Sequence, residues 1–450
     1  MDTFFNPKSI AIIGASRNPT KVGYVTVKNL KEGRYKGNIY PINPNAKSIL
    51  NLKAYPSVLS VKGPIQVAVI AVPAKLTLQV IEECGKKGIK HIIMITAGFS
   101  EIGNLQLEKQ VQKVVKQFKM RLIGPNCLGI LDVNNKFDTL FLPASRLVRP
   151  KGGSISFITQ SGATGSTVLD LMAEEQFGFA KFISYGNAAD VSETDLIEYL
   201  GKDKDTKVIC MYVESIRDGK RFLDVAKKVS QKKPIIVLKG GITDAGAKAT
   251  MSHTASLAGS FQIYAGAFKQ VGIVQADTLE DLFNFAKIIE KSFKPRGKRV
   301  QVITNGGGFG ILATDYLSLS GLIIADPSKS TLNKLKKVFP STYTVGNPID
   351  LTGSAFSDDY RRAIRVCLQD KAIDLLLVIL LYQTPQIDTS IVDDLIKFNN
   401  LKKKPLVVIS MGGDFPRKYK NLLEVNGVPC FTYPHNAARA ISVLCKYYLR

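Results

Sequence analysis

The sequence predicts an α/β protein built from three consecutive domains, each with a parallel β-sheet. Short apolar segments of strand length alternate with helix-length stretches along the whole chain, which is the pattern of parallel sheets covered by helices. Two segments rich in proline, glycine or basic residues, at 142–153 and 291–299, interrupt this alternation and are typical of boundaries. We therefore place the domains at residues 1–142, 150–290 and 298–450.

Strand candidates occur in each of the three parts. In the first part they are 9–14, 38–42, 66–72, 91–96 and 121–123; in the second, 155–159, 180–184, 208–213, 235–239 and 273–275; in the third, 300–304, 322–324, 375–381, 406–409 and 430–432.

Composition and charge restrict the class of protein. The formal net charge is +24, but the lysines are spread along the chain and no nucleic-acid-binding motif is present, so we expect a solvated basic surface and no nucleic-acid partner. The six cysteines form no CxxC pair, which favours reduced core residues over a metal site or a disulfide framework. No signal peptide is evident, and the longest apolar run, 375–381, is too short to span a bilayer. We expect a cytoplasmic protein that does not enter membranes.

The first predicted strand ends in a turn that could bind a phosphate group. The turn contains Gly14, Ala15, Ser16 and Arg17, and Lys21 follows it. Backbone N–H groups between a strand and a helix N-terminus point at an anion, although a turn that serves only packing has the same pattern. The second strand ends in Asn43-Pro44 and not in the acidic residue that binds an NAD ribose. The site therefore resembles a nucleotide site but is a poor NAD site.

Further candidate positions follow other strands of the first part. They are Val72-Pro73, Thr96-Ala97-Gly98, and Asn126 within the segment GPNCLG. Ligands of open α/β sheets bind at the carboxyl ends of the strands. Cys127 has no histidine at a suggestive spacing, so we interpret it as a buried small residue and not as a nucleophile.

Two more turns of the same kind follow the first strands of the second and third parts. The former contains Thr159, Ser161, Gly162 and Ala163, and the latter contains Gly306, Gly307 and Gly308. Ser161 could be an ordinary helix cap. The glycines favour an anion site, because glycine carries an entropic cost wherever it is not needed.

One of the three histidines, His253, lies in a long stretch of small residues, 239–259, which we predict to be an exposed loop. A histidine in such a loop can reach a reacting group. His91 begins an apolar strand and His435 follows Tyr433-Pro434, and we interpret both as structural residues. Glu214 ends the strand 208–213, where a carboxylate could fix a histidine tautomer. The residues alone leave open whether Glu214 and His253 meet.

Five segments in this order resemble the α subunit of the NDP-forming acyl-CoA synthetases, the archaeal ADP-forming acetyl-CoA synthetase type, and also succinyl-CoA synthetase. They are GPNCLG (124–129), TQSGA (159–163), GNAADVSETD (186–195), SHTASLAG (252–259) and TNGGGFG (304–310). The resemblance implies a Rossmann-like CoA-binding domain followed by two flavodoxin-like domains of the succinyl-CoA synthetase type. It implies that His253 becomes phosphorylated with Glu214 as its partner, and that CoA binds from the Gly14 turn to the Thr96 strand end. It also implies that the Ser161 and Gly306 turns hold phosphate.

The implied reaction is acyl-CoA + ADP + phosphate ⇌ acid + CoA + ATP, through an acyl phosphate and a phosphohistidine. The family keeps its ATP-grasp domain, which binds the nucleotide with Mg²⁺, on a β subunit in an α2β2 assembly, and no segment of this chain resembles that domain. Three alternatives are a non-catalytic CoA-binding regulatory protein, an NAD-dependent oxidoreductase and the synthetase-like part of an acetyltransferase. The regulatory protein would have no use for His253 and Glu214. The oxidoreductase requires an acidic residue after the second strand, where this chain has Asn43-Pro44. The acetyltransferase requires an acetyltransferase-like segment, and none is evident.

Overall fold

The computed structural model describes the backbone of residues 1–254 and 260–449, and the side chains of residues 1–250 and 260–449. The chain forms two compact units, Met1–Asp277 and Thr278–Arg450. The first unit contains two large sheets and the second contains one, so the predicted α/β class is confirmed. In the described part of the chain, no helix is long and apolar enough to cross a membrane.

The first sheet of the first unit is fully parallel. Its strands and the small hairpin beside it are β1 (Ser9–Ile13), β2 (Asn38–Ile42), β3 (Ser48–Ile49), β4 (Leu52–Lys53), β5 (Val67–Ile70), β6 (His91–Met94) and β7 (Arg121–Ile123). The helices are α1 (Asp2–Phe5), α2 (Val22–Glu32), α3 (Thr77–Lys87) and α4 (Leu105–Gln117). The sheet order is β2-β1-β5-β6-β7. Both β1 and β5 are buried along their whole length, which explains why these strands read as continuous apolar runs in the sequence.

The second sheet of the same unit is larger and mixed. Its strands are β8 (Ile130–Asp132), β9 (Phe137–Asp138), β10 (Lys151–Thr159), β11 (Gly178–Ser184), β12 (Val208–Val213), β13 (Ile235–Lys239) and β14 (Val274–Ala276). The helices are α5 (Gly162–Glu174), α6 (Glu193–Lys202), α7 (Gly219–Ser230), α8 (Asp244–Thr254) and α9 (Phe261–Gln270). The order is β14-β13-β12-β10-β11-β8-β9, and β8 and β9 run antiparallel to their neighbours. These two strands lie within residues 1–142, the predicted first domain, yet they extend the second sheet.

The predicted loop around His253 is wrong for residues 244–254, which form helix α8. Three alanines, at 245, 247 and 249, lie in this segment, and alanine is the strongest helix former. The scarcity of large apolar residues was a poor indicator of a loop, because a helix of small residues lacks them too. The rest of the stretch, residues 255–259, lies outside the described residues.

The second unit contains a third sheet, against which helices pack. Its elements are α10 (Leu279–Lys291), β15 (Arg299–Thr304), α11 (Gly307–Leu319), β16 (Ile323–Ile324), α12 (Lys329–Val338), β17 (Thr344–Val345), β18 (Ile349–Asp350), α13 (Ser357–Cys367), β19 (Leu375–Leu380), α14 (Ser390–Asn400), β20 (Leu406–Ser410), α15 (Asp414–Val425), β21 (Cys430–Phe431) and α16 (Pro434–Tyr448). The order is β17-β18-β15-β19-β20-β21, and β16 also pairs with β15. Helix α10 packs on α16.

Not all of the lysines belong to the solvated surface that the sequence predicts. Lys181 is buried and lies 3.3 Å from the Asp132 carboxylate. Lys287 is also buried and lies 2.6 Å from Glu424. These internal cations are paired, as a buried charge must be to avoid a large desolvation cost.

The three large sheets share one winding. In each, the first parallel strand (β1, β10 or β15) lies inside, and the chain then adds strands first on one side of it and later on the other. The switch between the two sides leaves a crevice at the carboxyl end of that first strand, where ligands of open α/β sheets bind. The turns that the sequence singles out, after Ile13, Thr159 and Thr304, occupy these three positions.

Candidate active site

The first of these crevices opens into a cavity of about 650 Å³, cavity A, at the carboxyl ends of β1 and β5. The predicted CoA positions that line it are Gly14, Ala15, Ser16, Lys21, Asn43, Pro44, Val72 and Pro73. The Asn43 side chain donates a hydrogen bond to the Ala15 carbonyl over 2.7 Å. It therefore joins the ends of β1 and β2.

The packing of β1 against β5 also requires a glycine at position 14. Its φ is +92°, and a Cβ there would lie 2.3 Å from the Ala71 carbonyl oxygen. A larger residue would thus push β1 away from β5 as well as narrow the cavity. Substituting Gly14 would not by itself distinguish a loss of CoA binding from a loss of fold.

A second cavity, cavity B, of about 660 Å³, adjoins cavity A. Val22, Ala71 and Val72 line both. Three further predicted CoA positions line cavity B, namely Thr96, Ala97 and Asn126. Two of the predicted CoA positions line neither cavity: Arg17 is exposed next to Ser16, and the Gly98 N–H donates to the Glu101 carboxylate.

The opposite wall of cavity B is the turn between β10 and α5, with Gln160, Ser161, Gly162 and Ala163. The Ser161 hydroxyl caps α5 by accepting the Thr164 N–H at 3.2 Å. No described residue accepts the N–H groups of Gly162 and Ala163, and the first turn of α5 has no acidic residue. A helix N-terminus of this kind favours an anion through its dipole and its unpaired N–H groups.

Thr159 does not face a ligand. It is fully buried, and its hydroxyl donates to the Ser161 carbonyl over 2.7 Å. Thr159 thus fixes the shape of the turn that presents the Ser161–Ala163 backbone.

Glu214 lies at the end of β12, next to this turn, and is 6 % exposed. The Tyr212 hydroxyl lies 3.3 Å from the Glu214 Oε1 and donates to it. Burial, with the Glu214 charge as a lesser cause, raises the pKa of Tyr212 to about 12, so the phenol remains a donor at neutral pH. The carboxylate keeps lone pairs with which it could accept an imidazole N–H.

The backbone of Glu214 is held from two sides. Its N–H donates to the Gln160 Oε1 over 2.9 Å, and its carbonyl accepts the Lys239 ammonium over 2.7 Å. Lys239 is buried, and its Nζ lies 4.8 Å from the centre of the Tyr264 ring. Burial lowers the pKa of Lys239.

His253 is on α8 of the same unit, but its side chain lies outside the described ones. Whether its imidazole reaches Glu214 therefore stays a prediction.

In the second unit, the turn before α11 repeats the first. The Thr304 hydroxyl donates to the Gly306 carbonyl over 3.1 Å, as Thr159 does in the first unit. No described residue accepts the Gly307 and Gly308 N–H groups. An acidic side chain borders this turn, however, because a Cβ on Gly307 would lie 2.6 Å from the Asp350 Oδ2. That carboxylate would oppose a phosphate bound at the same place.

The thiol of Cys127 is not poised for nucleophilic attack. It is buried, it donates to the Met94 carbonyl over 3.3 Å, and burial raises its pKa to about 12. The other cysteines are also buried and form no disulfide. In the described part of the chain, no group of three or more histidine, cysteine, aspartate or glutamate side chains could hold a metal ion.

Sequence reasoning missed several residues of the site. Gln160 lies in the segment TQSGA, but nothing in the sequence indicates that its side-chain amide reaches the end of β12. Phe141 and Leu142 line cavity B and lie at the predicted domain boundary. Apolar residues there could have indicated that the boundary is not simply a solvated linker.

Three family models match successive stretches of this chain. Family models match residues 8–132 (CoA binding domain), 152–289 (succinyl-CoA ligase like flavodoxin domain) and 300–449 (ligase-CoA domain). The chain is 40 % identical to the α subunit of acetate–CoA ligase [ADP-forming] II of Pyrococcus furiosus, over 99 % of this chain and 97 % of that one. It is 43 % identical to acetate–CoA ligase [ADP-forming] of Methanocaldococcus jannaschii, of which it spans 62 %.

A solved structure is similar over nearly the whole chain. It is the dinucleotide forming acetyl-coenzyme A synthetase 1 of Ca. Korarchaeum cryptofilum in complex with phosphate and ADP, with a TM-score of 0.93 and 37 % identity, covering 99 % of this chain and 96 % of that one. The sequence and structural similarity together show that this chain belongs to the α subunits of the ADP-forming acetate–CoA ligases, within the acyl-CoA synthetases.

Proposed function

We propose that this chain catalyses acyl-CoA + ADP + phosphate ⇌ acid + CoA + ATP, together with a nucleotide-binding β subunit, through an acyl phosphate and phospho-His253. One observation carries the proposal. Cavity B has the strand ends of the CoA-binding sheet on one wall and the free helix N-terminus of α5 on another. A thioester and a phosphate ion can therefore meet there.

In the first step, a phosphate oxygen attacks the thioester carbonyl and the CoA thiolate leaves. The phosphate is already held by the Gly162 and Ala163 N–H groups, so its position requires no reorganisation during the reaction. The apolar side chains around the cavity, among them Leu128 and Phe141, exclude water and so limit hydrolysis of the acyl phosphate.

In the second step, a neutral imidazole nitrogen of His253 attacks phosphorus and the carboxylate leaves. Glu214 accepts the N–H of the other ring nitrogen, which selects the tautomer and stabilises the positive charge that develops on the ring. The phosphohistidine then transfers its phosphoryl group to ADP, which the partner holds with Mg²⁺.

The partner is expected to be an ATP-grasp subunit, in an α2β2 assembly. Two observations support a partner: a relative that this chain matches over 97 % of its length is named a subunit alpha, and a longer relative has the same activity in its name. The Gly306–Gly308 turn would contribute to holding phosphate during transfer, and the three segments 1–142, 150–290 and 298–450 would act as the functional domains.

Phosphate labelling tests this mechanism. Incubation of the full chain with acetyl-CoA and radioactive phosphate should give an acid-labile, base-stable protein phosphate at His253, identified by mass spectrometry. A label on another residue would refute the mechanism. Calorimetry should also show binding of CoA but not of NAD, and tight NAD binding would favour an oxidoreductase instead.

A further inference from the structure

We propose that Gln160 is a positioning residue that holds the Glu214 carboxylate at a fixed place beside the phosphate-binding turn of α5. This inference rests on the proposed function, since it assigns a role toward Glu214 and the bound phosphate. Gln160 is not itself expected to take part in any covalent step.

The Gln160 side chain connects two strand ends across the crevice of the second sheet. Its Oε1 accepts two N–H groups, from Glu214 at 2.9 Å and from Ser215 at 3.2 Å. Its own N–H donates to the Tyr212 carbonyl over 3.2 Å. Gln160 is thus hydrogen-bonded to residues on both sides of Glu214 in the chain, Tyr212 before it and Ser215 after it.

The same residue is part of the phosphate-binding turn. Gln160 immediately precedes Ser161, the cap of α5, and lines cavity B with it. The distance from the Gly162 and Ala163 N–H groups to Glu214 is therefore set by a short covalent path and two hydrogen bonds. A displacement of either group by about 1 Å can cost about 100-fold in rate, so such a connection has a direct effect on the transfer of the phosphoryl group to a histidine held by Glu214.

The second unit contains the same arrangement independently. Asn305 occupies the matching position before Gly306, and its Oδ1 accepts the Leu381 N–H over 3.0 Å, just after β19. A carboxamide that joins the anion turn to the strand across the crevice is thus a feature of this winding. Only in the first unit does that strand end with a carboxylate, Glu214, so only there does the connection position an acidic group.

Two substitutions distinguish the positioning of Glu214 from an effect of charge in cavity B and from a general loss of stability. Gln160→Met keeps the length of the side chain but removes the acceptor. Gln160→Glu keeps an acceptor for both N–H groups but adds a negative charge to cavity B. Gln112→Met is the matched control, because Gln112 is also half-buried and donates to a main-chain carbonyl, that of Ala189 at 2.9 Å, outside both cavities.

The experiment measures the single-turnover rate of His253 labelling from saturating acetyl-CoA at several phosphate concentrations, with the full chain. Gln160→Met should lower the saturating rate by about 10- to 100-fold, the cost of losing hydrogen bonds at a site that must be held in place. Its half-saturating phosphate concentration should stay within about threefold of the parent value, because the α5 N–H groups are unchanged. Gln160→Glu should show the opposite: a saturating rate within about threefold of the parent and a raised half-saturating phosphate concentration, because like charges repel. Gln112→Met should match the parent in both quantities.

The outcomes are distinguishable. An unlabelled parent chain would refute the proposed function itself. A labelled parent with an equally fast Gln160→Met would overturn the positioning role alone, and so would a Gln160→Glu variant that loses its saturating rate as severely as Gln160→Met. If thermal unfolding shows that Gln160→Met does not fold, Gln160→Glu still tests the proposal: a parent-like saturating rate with a raised half-saturating phosphate concentration supports it, and a lost saturating rate overturns it.

Discussion

Replacing Glu214 by glutamine tests the centre of the proposed mechanism with little effect on the fold. The amide has nearly the same shape as the carboxylate. Its oxygen can still accept the Tyr212 hydroxyl, which now lies 3.3 Å from Oε1. The backbone bonds of Glu214 with Gln160 and Lys239 do not involve the changed atoms. We therefore expect a folded chain with an unchanged melting temperature.

The rate of phosphorylation should nevertheless fall. A hydrogen bond to a charged group contributes about 1.5–3 kcal/mol, and the charge-assisted bond from the imidazole to Glu214 becomes a neutral one that no longer stabilises the developing positive charge. At about 1.4 kcal/mol for each tenfold change, the loss corresponds to a rate about 10- to 150-fold lower. CoA binding should not change, since Glu214 lines neither cavity.

The assay is rapid-quench labelling of the protein with radioactive phosphate and acetyl-CoA, with calorimetry for CoA. Glu193→Gln is the matched control. Glu193, the first residue of α6, is also a buried carboxyl, and burial raises its pKa. It lines neither cavity. It should label at the parent rate. Labelling of Glu214→Gln within twofold of the parent would refute the role of Glu214.

Four further outcomes are expected. His253→Ala should abolish both the phosphate label and ATP formation with the β partner while leaving CoA binding intact by calorimetry; turnover by this variant would contradict the phosphohistidine. The purified chain alone should make no ATP in a luciferase assay, and an added ATP-grasp subunit should restore it. Burial raises the pKa of the thiols of Cys127, Cys367 and Cys430 to about 12. At pH 8 these thiols should therefore remain protonated and react with iodoacetamide only after urea is added. Rapid modification of the native chain would show that they are accessible. Lys287→Met should destabilise the second unit by about 3–5 kcal/mol because it leaves the buried Glu424 carboxylate without its partner; urea unfolding would show a lower midpoint, and an unchanged midpoint would mean that the pair contributes nothing.

The strands were the most predictable part of this fold. Buried parallel strands such as β1, β5 and β19 read as apolar runs. The small-residue turns after β1, β10 and β15 mark the strands on either side of which the chain adds further strands. The short strands β8 and β9 were not predicted, since β8 pairs with β11 through contacts distant in the sequence and β9 joins the sheet only through β8. Helix α8 was missed because small residues suit both a helix and a loop.

The candidate site was predictable only where the backbone alone creates it. The turn residues Ser161, Gly162 and Ala163 follow from the succession of a strand, a turn and a helix. The contacts of Gln160 and Lys239 with Glu214 do not, because they join residues that only the sheet order brings together. Thr159 was predicted as a phosphate ligand, but its hydroxyl donates to the Ser161 carbonyl two residues later, a local contact that the segment TQSGA does not reveal.

The recurrence of one turn in both units raises the question of why the proposed chemistry belongs to the first. The Thr159 and Thr304 hydroxyls close the two turns in the same way, and Gln160 and Asn305 both reach the strand across the crevice. The differences are electrostatic. The α5 turn has a serine cap and no acidic residue in its first helical turn, and its partner strand ends in Glu214. The α11 turn has no side-chain cap and borders Asp350, and its partner strand ends in leucines. A phosphate ion should therefore bind more readily at the α5 turn than at the α11 turn, because the α11 turn borders a carboxylate and the α5 turn does not.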